Sequence, residues 1–148
     1  MALPPPRPLV FIGPPLQVIS SNPKVGVHTR LTDEVEEWKI QRTLQMVREL
    51  GAPWVVEYFP WAYSEPQKGR FDFYHADLVV NHARAQGLTV IARIDLVPDW
   101  ARPANTPAQL LLSDRYDDYG DYLYNFVLHF KGRIHYLQIW NEPNLNSE

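Results

Sequence analysis

From Lys24 onward the chain switches repeatedly between two hydrophobic periods: short runs rich in β-branched residues, and longer stretches with apolar residues every three or four positions. The first run, residues 25–29, reads Val-Gly-Val-His-Thr and predicts a buried strand. A helix is expected next, with Asp33 as its N-cap and Glu36 as the reciprocal partner. Val35, Trp38, Ile40, Leu44, Val47 and Leu50 form its apolar face, and Gly51 ends it. Residues 54–59, Trp-Val-Val-Glu-Tyr-Phe, are almost continuously apolar, as a strand covered on both faces requires, and Pro60 closes them. The spacing of Leu78, Val79 and Ala83 predicts a second helix over residues 74–86, stopped by Gly87, and a third strand over residues 88–94. After a break at Pro98, the recurrence of Tyr116, Tyr119, Leu123, Phe126, Val127 and Phe130 predicts a third helix ending before Gly132. A fourth strand follows over residues 134–140.

Strands separated by single helices are parallel neighbours joined by right-handed crossovers, so the class is α/β. A doubly wound nucleotide-binding sheet would want a Gly-x-Gly-x-x-Gly turn after its first strand, but His28-Thr29-Arg30-Leu31-Thr32 stands there. A closed eight-unit barrel takes ~250 residues, and four units are about half of one. The expected fold is therefore a partial (β/α)8 TIM barrel over residues 24–148, its first four βα units, with strand four at the C-terminus. Residues 1–23 carry Pro4, Pro5, Pro6, Pro8, Pro14, Pro15 and Pro23 and read as an extended leader or linker. The apolar stretch at residues 9–19 is interrupted by Gly13-Pro14-Pro15, lacks a small-residue cleavage site and is too short to span a bilayer.

Composition narrows the partners. The 148 residues are 45% hydrophobic and 21% charged, enough for one domain with a core. A net charge of -3 with both signs scattered points to neither a nucleic-acid partner nor membrane contact. Without cysteine there are no disulfides, thiolate nucleophiles or thiolate metal sites. His75 and His82 are seven apart on a predicted helix without a third ligand, and Asp114, Asp117, Asp118 and Asp121 suit the solvated start of a helix. Neither a metal nor a cofactor is expected.

The chemistry gathers at the fourth strand. Alternation puts Tyr136, Gln138, Trp140 and Glu142 on the barrel-facing side, with Leu137 and Ile139 toward the helices. Glu142 then stands at the carboxyl end of the strand, where barrel enzymes assemble their sites. A glycosidic oxygen leaves poorly unless it is protonated as the bond breaks, and a carboxyl held partly neutral by surroundings such as Trp140 and Pro143 suits that task.

The run Trp140-Asn141-Glu142-Pro143-Asn144 resembles the fourth-strand motif of clan A glycoside hydrolases, the barrel group that contains cellulases, β-xylosidases and β-galactosidases. Residues 61–73, Trp-Ala-Tyr-Ser-Glu-Pro-Gln-Lys-Gly-Arg-Phe-Asp-Phe, resemble the loop after the second strand, and Pro98-Asp99-Trp100-Ala101 the turn after the third. The resemblance covers residues 25–146. It implies an oligosaccharide or polysaccharide substrate with β-linkages, an extracellular or cell-surface setting, and a retaining mechanism. In that mechanism Glu142 is the acid/base, Asn141 holds the sugar 2-hydroxyl, and the nucleophilic glutamate belongs to the seventh strand. Trp140, Trp100 and Trp61 are further candidate substrate contacts, although packing between loops explains Trp61 and Trp100 equally well. Glu65, in a Glu-Pro-x-x-Gly context, reads as a loop-shaping residue rather than a second catalytic carboxylate. One departure concerns the end of the second strand, where clan members often carry an arginine and this sequence has Glu57 and Tyr58. A retaining site needs two carboxyl groups roughly 5 to 5.5 Å apart, so these 148 residues are expected to be inactive alone. Two alternatives stand beside this: a non-catalytic glycan-binding module, and a half-barrel that self-associates through its exposed edges.

Overall fold

Each strand pairs in parallel with the strand that precedes it in the chain, giving a four-stranded sheet in the order β1-β2-β3-β4. The computed structural model describes residues 24–105 and 110–143. The leader expected over residues 1–23 and the residues after Pro143 lie outside the described residues. The strands are β1 (Gly26–Thr29), β2 (Trp54–Pro60), β3 (Thr89–Asp95) and β4 (Tyr136–Ile139). Between them run α1 (Glu37–Glu49), the single turn α2 (Trp61–Ser64), α3 (Tyr74–Ala85) and α4 (Tyr116–His129). This is the expected α/β alternation, the first four βα units of a (β/α)8 barrel. Among the described residues, no helix is long and apolar enough to cross a membrane.

One face of the sheet is covered by the helices. Val55, Phe59, Val90, Ala92 and Ile94 are buried there against Ile40, Leu44 and Val47 of α1, Val79, Val80 and Ala83 of α3, and Tyr119, Tyr122 and Phe126 of α4. Phe59 meets Phe126 edge-on at 5.4 Å, and Phe126 meets Phe130 at 4.7 Å. Each Val, Leu, Ile or Phe side chain removed from water here stabilises the fold by about 1.5–3 kcal/mol. Gly51 and Gly87 end α1 and α3 with φ of 82° and 70°, a left-handed conformation that glycine adopts without a Cβ clash.

Two helices differ from the sequence reading. α1 begins at Glu37, because Asp33 belongs to a separate 3-10 turn, Leu31–Asp33, and its carboxylate accepts from Arg30 Nε at 2.9 Å instead of capping a helix. Glu36 precedes the helix without a side-chain cap bond. The buried stripe narrows to Ile40, Leu44 and Val47, leaving Val35, Trp38 and Leu50 exposed. On α4, Tyr122 is fully buried while Tyr116 and Val127 are exposed, so the stripe is rotated from the one that the apolar recurrence suggests. Tyrosine at positions 116, 119, 122 and 124 satisfies more than one stripe, and only packing against Phe59 and Trp61 selects among them.

Glu57 sits on the helix-covered face of β2 with no exposure. Its Oε2 accepts from Thr29 Oγ1 at 2.5 Å and its Oε1 from the Thr32 backbone N–H at 3.0 Å, tying the 3-10 turn to the sheet. Burial pushes the Glu57 carboxyl above its ordinary range, and the bonds from Thr29 and Thr32 offset part of that. Between the unfolded and the native pKa, the native state therefore binds a proton that the unfolded chain releases. The resulting stability is complete below the unfolded pKa of about 4.3 and declines as pH rises toward the elevated native value. In urea unfolding between about pH 4 and about pH 8, the wild type is expected to lose stability relative to Glu57→Gln as pH rises. A gap that stays constant with pH would contradict this.

Candidate active site

Away from the helices, register sorts the other face of the sheet into rows. His28, Val56, Ile91 and Tyr136 lie at one level, Tyr58, Arg93 and Gln138 at the next toward the carboxyl ends, and Asp95 beyond them. The lower end is apolar, with Trp54 and Tyr136 edge-on at 5.3 Å. The upper end is polar. There the buried Tyr58 ring takes two guanidinium groups, Arg30 and Arg93, each with Cζ 4.7 Å from the ring centroid. Arg93 Nη1 donates to Asn141 Oδ1 at 3.3 Å, and its Nε lies 3.6 Å from the Asp95 carboxylate. Burial, together with Asp95, pushes the Tyr58 phenol well above its ordinary value, so the ring stays a neutral partner for both cations. Partial desolvation and the Arg93 and Arg30 guanidiniums hold His28 below its ordinary value, leaving its imidazole mainly uncharged at neutral pH.

The chain leaves β4 through a sharp turn. Trp140 and Glu142 have φ of 67° and 41°, left-handed values that are sparsely populated by non-glycine residues. Glu142 is exposed at this carboxyl end, next to the half-buried Asn141. The turn breaks the alternation expected for Trp140, whose side chain packs against the core instead of facing the barrel side. Its ring meets Tyr119 of α4 edge-on at 5.8 Å, and its backbone N–H donates to Ile94 O at 2.9 Å.

The other two tryptophans separate. Trp61 has no exposure and lies 5.2 Å from Tyr119, 5.4 Å from Trp100 and 5.6 Å from Tyr122, ring centroid to centroid. Its position in the core corrects the reading of Trp61 as a sugar platform, because a fully covered ring cannot stack on a ligand. Trp100 is half-buried. Its Nε1 donates to Glu65 O at 2.9 Å, and it borders a cavity of about 360 Å³ shared with Lys68, Phe71, Asp118 and Asn125. Glu65 shapes its loop as expected: its carboxylate accepts from Trp61 Nε1 at 2.6 Å and from the Gly69 N–H at 2.7 Å. The histidines and the acidic cluster serve packing between elements. His75 meets Leu31 O, His82 meets Glu37, and Asp118 pairs with Lys68 and Arg115.

Arg30, Arg93 and Asp95 join the site without being among the residues expected from the sequence, and Tyr58 was expected only as the end of the second strand. The available signal was Arg93 and Asp95 alternating with Ala92 and Ile94 in the third strand, a period of two that marks a polar face on an otherwise apolar element.

Residues 31–104, half of the 148-residue chain, match the profile of glycoside hydrolase family 42, described as beta-galactosidase. The chain belongs to this family. The match runs from the 3-10 turn through the loop after β3, and places the chain among the clan A barrels that its fourth-strand motif resembles. Solved structures share the fold at low identity. An exo-β-1,4-mannosidase from Opitutaceae bacterium strain TAV5 is similar at 16% identity and a TM-score of 0.68, over 82% of this chain and 25% of that one. A β-galactosidase from the Antarctic haloarchaeon Halorubrum lacusprofundi gives 16% and 0.67, over 82% and 22%. A family 39 glycoside hydrolase from the gut symbiont Bacteroides cellulosilyticus WH2 gives 20% and 0.64, over 80% and 24%. The family 42 chain thus spans about a quarter of the length of the solved structures it matches.

Proposed function

We propose that this family 42 chain supplies the amino-terminal half of a retaining glycosidase barrel acting on a β-linked glycan, with Glu142 as acid/base and Asn141 as the ligand of the sugar 2-hydroxyl. The observation that carries the reading is the position of Asn141 and Glu142 at the carboxyl end of β4, with Asn141 bonded to Arg93 of the polar row below Asp95. Glu142 protonates the departing oxygen while a carboxylate from a later strand attacks the anomeric carbon. In the second step Glu142 takes a proton from the water that releases the sugar. With the nucleophile supplied by a later strand, the 148-residue chain does not turn over substrate alone. The test uses the full-length protein and an aryl β-galactoside, with the anomer formed first read by proton NMR. The β-anomer is expected. Initial release of the α-anomer would exclude a retaining mechanism.

A second reading follows from the outer strands. Leu137 and Ile139 on β4 are 39% and 61% exposed, and Val25 beside β1 is 68% exposed. A second copy of the chain would cover them if half-barrels associate. Sedimentation of the 148-residue chain as a single monomeric species over a concentration series would exclude it.

A further inference from the structure

We propose that Arg93 is a positioning residue that fixes the orientation of the Asn141 amide and, through it, the recognition of the sugar 2-hydroxyl; this rests on the role given to Asn141 above. A guanidinium carries only donors, so the Asn141 atom that Arg93 meets at 3.3 Å has to be the carbonyl oxygen. The amide NH2 is thereby turned away from Arg93, and no hydrogen bond from it is made within the described residues. It remains a donor for an incoming oxygen. An unheld asparagine would sample both amide orientations, and one of them presents a carbonyl where the donor is needed.

Arg93 can do this because it is itself held. Its side chain is only 12% exposed, its guanidinium lies over the Tyr58 ring at 4.7 Å, and Asp95 faces its Nε at 3.6 Å. Among the described residues that buried Nε has no hydrogen-bond partner, and stacking and charge hold the group there. Arg30 loads the same ring at 4.7 Å and confines Tyr58 in turn. Lysine has neither the planar face for Tyr58 nor a second nitrogen for Asp95, so it is a poor substitute. Hydrogen bonds to the 2-hydroxyl strengthen in the transition state of retaining hydrolysis, so the effect of Arg93 belongs in kcat more than in KM.

The experiment compares wild type, Arg93→Met, Arg93→Lys, Asn141→Ala and the Arg93→Met/Asn141→Ala double variant in the full-length protein. Each is assayed on an aryl β-galactoside and on its 2-deoxy counterpart. Arg93→Met is expected to lower kcat on the parent sugar by about 10- to 100-fold and on the 2-deoxy sugar by no more than about twofold. Arg93→Lys, which keeps the charge should Met cost the fold, is expected to show the same selectivity for the 2-hydroxyl substrate. The double variant should be no slower than Asn141→Ala. Equal losses on both sugars, wild-type kinetics of Arg93→Lys, or multiplying losses in the double variant would overturn the proposal. If Asn141→Ala itself fails to discriminate between the two sugars, the underlying role of Asn141 falls. If Asn141→Ala discriminates and the Arg93 variants do not, only the positioning role falls.

Discussion

Glu142→Gln in the full-length protein is expected to lower kcat/KM for an alkyl or disaccharide β-galactoside by about 10²- to 10⁴-fold, the usual contribution of a general acid. Glutamine keeps the size and hydrogen-bonding reach of the carboxyl but delivers no proton. The loss should shrink for a dinitrophenyl glycoside, whose leaving group departs as a stable anion and needs little protonation. This dependence on the leaving group separates a lost proton donor from a disturbed site, which would slow all substrates alike. Because Glu142 is exposed, the same substitution should change unfolding stability by no more than about 0.5 kcal/mol. Steady-state kinetics across a leaving-group series, alongside urea unfolding, would decide. An unchanged rate on the alkyl glycoside would remove Glu142 from the mechanism.

Trp61→Ala is expected to destabilise the chain by about 3–5 kcal/mol, a large part of the roughly 5–15 kcal/mol that holds a typical domain together. The indole fills the space between Tyr119, Tyr122 and Trp100 and has no exposure, so its removal leaves a cavity where the loop after β2 meets α4. It also removes the donor that meets Glu65 at 2.6 Å, leaving a buried carboxylate with one of its two strong partners gone. Trp61→Phe should be intermediate, because the ring contacts largely survive and the N–H does not. Urea midpoints at constant m-value measure both. A change below about 1 kcal/mol for the alanine variant would show that the loop packs without this side chain.

The fold was legible because parallel strands buried by helices are written as nearly continuous apolar runs, and residues 54–59 and 88–94 are such runs. The start of α1 was not, because Asp33 followed by Glu36 has the form of a capping box wherever it occurs, and only the bond from Arg30 shows that the residue is otherwise engaged. Alternation along β4 held through Ile139 and failed at Trp140, since a period of two presumes extended backbone and the left-handed turn ends it. Trp61 beside Trp100 reads from sequence as readily as a sugar-binding pair as it does as a core contact; burial alone separates the two. The polar cluster was the least visible. Arg30, Tyr58, Arg93 and Asn141 come from four separate βα units, and the register of the sheet is what brings them to one place.

The order of the sheet bears on how such a barrel is made. β1, β2, β3 and β4 stand side by side in the order in which a ribosome synthesises them. Every new strand therefore pairs with one that precedes it in synthesis, across α1 between β1 and β2, across α2 and α3 between β2 and β3, and across α4 between β3 and β4. Segments emerging first can fold first. Tyr58 and Arg93 are register partners on β2 and β3, so they can meet before β4 pairs.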